Sequence, residues 1–167
     1  MNAFIKSHFS YCPLIWMLHS RKLNNRINKI HERSLRMVYR DYETQYNELL
    51  KIDNSQTIHQ INLQKLMIEI FKIKNGIAPT IISNIFELVD LPYNLRTDLK
   101  IKSNNINTVF YGTESLSFLA PRLWNQLPNI YKNANSLEEF KLKIKDWQCD
   151  SCPCRLCKTY ILDLGFI

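Results

Sequence analysis

Lys22, Arg26, Lys29, Arg33, Arg36 and Arg40 follow one another at intervals of four, three, four, three and four residues. At about 3.6 residues per turn, such spacing draws six side chains into one line along a helix. Guanidinium groups offer paired donors that match phosphate oxygens. A cationic line beside a packing face therefore suits a helix lying along a nucleic-acid backbone, where each neutralised phosphate releases counterions. The plainer alternative is a solvated helix face. Such faces usually mix signs, whereas Glu32 is the only acid between residues 21 and 40.

A second group with chemical potential lies near the C-terminus: Cys149, Cys152, Cys154 and Cys157. Four thiolates match the ligand count of a closed structural zinc site, and each C-x-x-C half has knuckle spacing. A single residue, Pro153, separates the halves. That is far shorter than the spacer of zinc fingers and ribbons. Free redox-sensitive thiols, or cysteine pairs that join two copies through shared zinc, are the alternatives.

The rest of the sequence argues against catalysis. Two-metal phosphoryl transfer needs clustered carboxylates. The chain has no Asp-Asp pair, and Asp41, Asp53, Asp90, Asp98, Asp146, Asp150 and Asp163 stand isolated, mostly in apparent loops. His8, His19, His31 and His59 form no HxxxH or HExxH arrangement, so surface or packing roles suit them better than ligation. There is no Gly-rich phosphate loop and no G-x-S-x-G elbow. Trp16, Trp124 and Trp147 sit in apolar contexts that suit a core.

The elements that must position these groups are mainly helical. Residues 4–19 read as a short apolar helix broken near Pro13. Residues 21–40 read as one long helix, with Leu23, Ile27, Ile30, Met37 and Val38 as its apolar face, a quarter turn from the cations. Thr44 to Lys51 is a short helix with Tyr46, Leu49 and Leu50 inward. Residues 57–75 form a helix apolar nearly all round, which marks a central position. Gly76 is placed to cap it and Pro79 to open a helix over 79–89. From Arg96 to Leu119, the pairs Leu99/Ile101 and Leu116/Phe118 and the run from Val109 to Tyr111 suggest a small β-hairpin or meander. A turn of helix then holds Leu123, Trp124 and Leu127 before Pro128. Ser136 and Glu139 form a capping box that opens a helix to about Trp147, with Leu137, Phe140, Ile144 and Trp147 on one face.

The chain has 167 residues, 46% of them hydrophobic, enough for one domain or a small domain with an appended module. The formal net charge is +7, which favours a polyanionic partner. The excess is uneven. Residues 1–51 hold nine Lys and Arg against four acids, 52–95 three against four, and 96–167 ten against seven. The N-terminal third is thus the best electrostatic footprint. The longest apolar run near the N-terminus, Pro13 to Leu18, is far short of the ~20 residues that span a bilayer. No signal core is visible, so a reducing compartment, cytosol or nucleus, without membrane contact, is expected.

Several runs occur in an order that resembles the region after the palm in jockey-like LINE (non-LTR retrotransposon) reverse transcriptases. They are AFI at Ala3, YCPLIW at Tyr11, NKIHERSLR at Asn28, TIHQINLQ at Thr57, and FKIKNG at Phe71 with Ala78 and Pro79. YGTES at Tyr111, LWN at Leu123 with Leu127 and Pro128, SLEEFK at Ser136, and CPCRLC at Cys152 closing on GFI at Gly165 complete the set. The resemblance covers essentially the whole chain. It implies a parent RNA-directed DNA polymerase whose paired-aspartate signature lies outside this sequence. Residues 1–90 would correspond to a thumb-like helical domain that cradles the template–primer duplex, 91–148 to a C-terminal α+β segment, and 149–167 to a Cys-rich tail. Ile61, where a basic residue is expected, and Ala120, where a Gly usually precedes the proline, depart from the family pattern. The expected function is non-catalytic binding of RNA or an RNA–DNA hybrid through the 21–40 helix, alongside the remainder of the parent polymerase. The rivals are a functionless transposon remnant and a module that pairs copies through zinc.

Overall fold

The computed structural model describes residues 6–18, 21–83, 86, 101–102, 112 and 115–149. These are mainly α-helical. The elements in order are α1 (Ser7–Ser10), α2 (Pro13–Trp16), α3 (Arg21–Tyr39), α4 (Tyr46–Ile52), α5 (Ile58–Lys74), α6 (Thr80–Ser83), α7 (Leu116–Gln126), α8 (Asn129–Lys132) and α9 (Leu137–Lys145). The chain forms two compact units, Met1–Leu63 and Gln64–Ile167.

In the first unit the expected break at Pro13 is present. Cys12 adopts a left-handed conformation (φ 42°) between α1 and α2, and Pro13 occupies the first position of α2, where its missing N–H costs nothing. No Gly or Pro interrupts Arg21–Tyr39, so α3 runs for 19 residues. It ends as Arg40 turns left-handed (φ 53°) and the Asp41 amide donates back to the Arg36 carbonyl at 3.2 Å. The same ending recurs with Asn54 after α4 and Gly76 after α5. There the Ser55 amide reaches Leu50 and the Ile77 amide reaches Lys72, both at 2.9 Å. Gly76 is the residue for which that conformation carries no steric cost.

The Asp41 carboxylate caps the turn into α4. It accepts from the Glu43 and Thr44 amides and, at 2.6 Å, from the Thr44 hydroxyl. Those donors, the Thr44 hydroxyl first, hold Asp41 below the usual carboxylate range. α4 then packs on α3, and Leu49, Leu50 and Leu35 form a buried cluster with Tyr46 against it.

The face that α3 turns inward is not the apolar one read from the sequence. Asn24, His31, Ser34 and Leu35 are buried and Ile27 is half-buried, whereas Leu23, Ile30, Met37 and Val38 are exposed. Two hydrogen bonds satisfy part of this polar face. His31 Nδ1 lies 2.8 Å from the Tyr46 hydroxyl, and the Ser34 hydroxyl donates to the His31 carbonyl at 2.6 Å. Phe9 and Tyr46 both set ring edges against the imidazole.

The second unit is built on aromatic stacking. Phe71 of α5 and Phe140 of α9 stack at 4.3 Å, and Trp124 of α7 lies 6.1 Å from Phe140. Leu66, Met67, Ile70, Leu119, Leu123, Leu127 and Ile144 complete an apolar core. Two side-chain amides tie its ends. Gln64 donates to the carbonyls of Lys145 and Trp147, both at 3.0 Å, satisfying the C-terminal end of α9. Asn125 exchanges two 3.1 Å bonds with the backbone of Ile101. The capping box is present in a shifted form. Ser136 Oγ accepts from the Glu139 amide, but the Glu139 carboxylate accepts from the Asn135 amide, one residue before the N-cap.

The expected β-hairpin finds no support among the described residues. Leu116 and Phe118 lie in α7, in helical register with Leu119, Leu123 and Trp124, and two alternating positions cannot outweigh that longer repeat. Ile101 makes only an isolated bridge, and residues 103–111 lie outside the described residues. The helix expected over 79–89 is described only as the single turn Thr80–Ser83.

Burial of His31 has a consequence for stability. Desolvation, then the nearby Lys6 ammonium, lower its pKa from the usual 6.5, against a smaller opposing pull from Asp53. The unfolded chain therefore binds the proton more readily, and stability should fall as pH drops below about 6.5 towards the lowered folded value. The slope for one proton is at most about 1.4 kcal/mol per pH unit. Urea unfolding at pH 7.5 and 5.5 checks this: the midpoint should drop less in His31→Gln than in the parent chain. An equal drop would contradict it.

Candidate functional site

The cationic line is the clearest functional feature that the fold preserves. Lys22, Arg26, Lys29 and Arg33 are all exposed on α3. Among the described residues no ion pair engages any of the four. At 1.5 Å per residue the line runs for about 17 Å, roughly five phosphate steps at 3.4 Å along one strand of a duplex.

The other two residues of the expected six stand apart. Arg36 is half-buried and grips Glu32 one turn earlier, with Nε at 3.2 Å and Nη2 at 2.7 Å from the same carboxylate oxygen. Its charge is neutralised locally, and Glu32 is the one acid that breaks the sign uniformity of this stretch. Arg40 is exposed but sits beyond the helix, at the left-handed residue that ends it. Helical spacing alone could not reveal either departure, because it places Cα atoms and not partners.

A charged cluster lies elsewhere in the first unit. Lys6 Nζ contacts Asp53 Oδ2 at 3.0 Å, and the Tyr39 hydroxyl donates to Asp53 Oδ1 at 2.8 Å. Burial pushes Asp53 up, but these donors outweigh it and its pKa ends below the usual value. The cluster ties three segments and contains no second carboxylate, so it reads as structural.

Of the four tail cysteines, Cys149 is described and is half-buried, whereas Cys152, Cys154 and Cys157 lie outside the described residues. Cys149 borders an open cleft of about 460 Å³ lined also by Gln126, Pro128, Tyr131, Asp146, Trp147 and Gln148. Among the described residues no group of three or more His, Cys, Asp and Glu side chains converges as metal ligands would. Trp124 and Trp147 are core residues as expected, whereas Trp16 is half-buried, its indole N–H donating to the Tyr11 carbonyl at 2.8 Å.

The residues that sequence reading missed are Asn24 and Ser34, buried beside His31 on the inner face of α3. Their signal was available only indirectly, since Asn and Ser are poor fillers of a helix interior unless something holds them. No helix among the described residues is long and apolar enough to cross a membrane. Compared with protein-family models, with curated proteins and with solved structures, the chain finds no match.

Proposed function

We propose that this chain binds RNA, or an RNA–DNA hybrid, through α3 and does so without catalysing a reaction. The observation that carries this reading is the exposed line of Lys22, Arg26, Lys29 and Arg33, with no carboxylate paired to any of them among the described residues. A line of one sign held on a rigid helix is the arrangement that phosphate contact requires. The ordered runs that resemble the region after the palm in jockey-like LINE reverse transcriptases support it independently. In that reading the chain is the C-terminal part of a larger RNA-directed DNA polymerase, and the remainder of that polymerase is its other partner.

Four phosphate contacts should give a log–log dependence of affinity on salt with a slope of about −3 to −4 on a duplex. Replacing Arg26, Lys29 and Arg33 together by Gln removes three of them and should flatten the slope by about two to three units. Affinity for unrelated sequences should fall alike, because phosphate contacts carry no base information. The charge-matched control changes Lys51, Lys141 and Lys145 to Gln. Fluorescence anisotropy with a labelled RNA–DNA hybrid at several salt concentrations measures both. If the control flattens the slope as much as the α3 variant, attraction is diffuse and α3 is not the site.

For the tail, the spacing of Cys149, Cys152, Cys154 and Cys157 supports a structural zinc site, which we propose as a separate feature of the chain. Protein purified under reducing conditions should then carry about one zinc per chain and lose it in Cys149→Ser or Cys157→Ser. Mass spectrometry and metal analysis decide. Half an ion per chain in a dimer indicates pairing through shared zinc, and zinc-free protein removes the site.

A further inference from the structure

The outward face of α3 carries more than charge. Leu23, Ile30 and Met37 stand seven residues apart, and 46%, 54% and 72% of their surface is exposed. Single exposed apolar side chains are ordinary on protein surfaces. Three on one helical line are a seam. Seven-residue spacing keeps side chains in register along about 21 Å of helix, and it is the repeat by which one helix packs against another. Arg26 and Arg33 alternate with the three, in the position of the second seam residue of each repeat, and Lys22 and Lys29 flank the same edge.

That arrangement specifies the occupant. A helix laid along this seam meets apolar side chains at one layer and a guanidinium at the next. Covering the guanidinium without a carboxylate would strand a buried charge. The charge pattern also disfavours a second copy of this chain. A parallel pair would set Arg26 and Arg33 against their own counterparts, and an antiparallel pair would set them against Leu and Ile with no acid in reach. An anionic membrane surface suits a helix whose apolar face is broad and rich in Trp, Phe and Leu. Here Leu23, Ile30 and Met37, with Val38 exposed beside them, include no Trp or Phe and alternate with Arg26 and Arg33.

We propose that α3 is a docking surface for an acidic amphipathic helix of a partner protein, with Leu23, Ile30 and Met37 as the apolar contacts and Arg26 and Arg33 as the carboxylate-binding residues. The surface shares Arg26 and Arg33 with the phosphate line but rests on the three apolar residues, so the two readings fail separately. Because two arginines are shared, an acidic helix and a nucleic acid would compete for α3.

The test uses the full chain and a labelled 21-residue synthetic helix with leucine at its seam positions and glutamate at the flanking ones. Binding should be saturable and displaced by an RNA–DNA duplex if the phosphate reading holds. The triple variant Leu23→Ser, Ile30→Ser, Met37→Ser should weaken peptide binding at least about tenfold, the equivalent of about 1.4 kcal/mol. It should leave the salt slope for nucleic acid unchanged. A peptide with lysine in place of glutamate should not bind. Equal binding of the two peptides, or of parent and triple variant, overturns the proposal, because the seam would then not recognise an acidic apolar partner. So does serine-sensitive binding to phosphatidylserine vesicles in the absence of peptide binding, or a dimer in sedimentation that the serine variant abolishes. All three substitutions are at exposed positions, and an unchanged thermal melt confirms that the variant is folded.

Discussion

The contact between His31 and Tyr46 fixes the rotation of α3, and the character of the first unit follows from that rotation. The imidazole nitrogen and the phenol lie 2.8 Å apart, and beside them Leu35 joins Leu49 and Leu50 in a closed cluster. A hydrogen bond to a buried imidazole is costly to leave unmade. Once His31 is inside, Asn24 and Ser34 must follow on the same face. The opposite edge, with four cations and three apolar residues, then has to face outward. The unit thus holds its helix by a polar contact and presents an amphipathic surface to whatever it meets.

The second unit solves a different problem by different means. Its core is apolar and aromatic, and its polar contacts serve backbone ends instead of choosing a face. Gln64 closes the C-terminal end of α9, and Asn125 acts as a surrogate strand partner for Ile101. Lys132 is buried with its ammonium on the Asn125 carbonyl at 3.3 Å, near the end of α7, where a positive charge is favoured. The same ammonium lies 5.9 Å from the centroid of the Trp124 ring, so one cation contributes both a cation–π contact and a cap.

How far the sequence spoke depended on which force was deciding. α5 and α9 were legible because burial and local capping agree there: apolar residues surround Ile58–Lys74, and Ser136 caps Leu137–Lys145. The break at Pro13 and the cap at Gly76 were legible because both residues act on their own backbone. The inner face of α3 was not. Apolar periodicity identifies the buried face only when hydrophobic burial chooses it, and here a tertiary hydrogen bond chose a polar one. The strand reading at Leu116 and Phe118 failed because a two-position alternation also fits a helix, and Pro121 concealed the helix that contains it. Within the cationic line, spacing found the exposed residues Lys22, Arg26, Lys29 and Arg33. It could not tell that Glu32 holds Arg36 or that the chain turns away at Arg40.

The orientation of α3 is the claim on which both surface readings stand, and thiol labelling measures it directly. Single cysteines at Ile30, Met37, Ser34 and Leu35 would be alkylated in native buffer, and the α3 peptide quantified by mass spectrometry against the urea-unfolded rate. Ile30→Cys and Met37→Cys should react at close to the unfolded rate. Ser34→Cys and Leu35→Cys should react at least about tenfold more slowly, since labelling there requires local opening. The reverse pattern, with Ile30 and Met37 protected and Ser34 and Leu35 reactive, would mean that α3 packs through its apolar line, and would contradict the structure described.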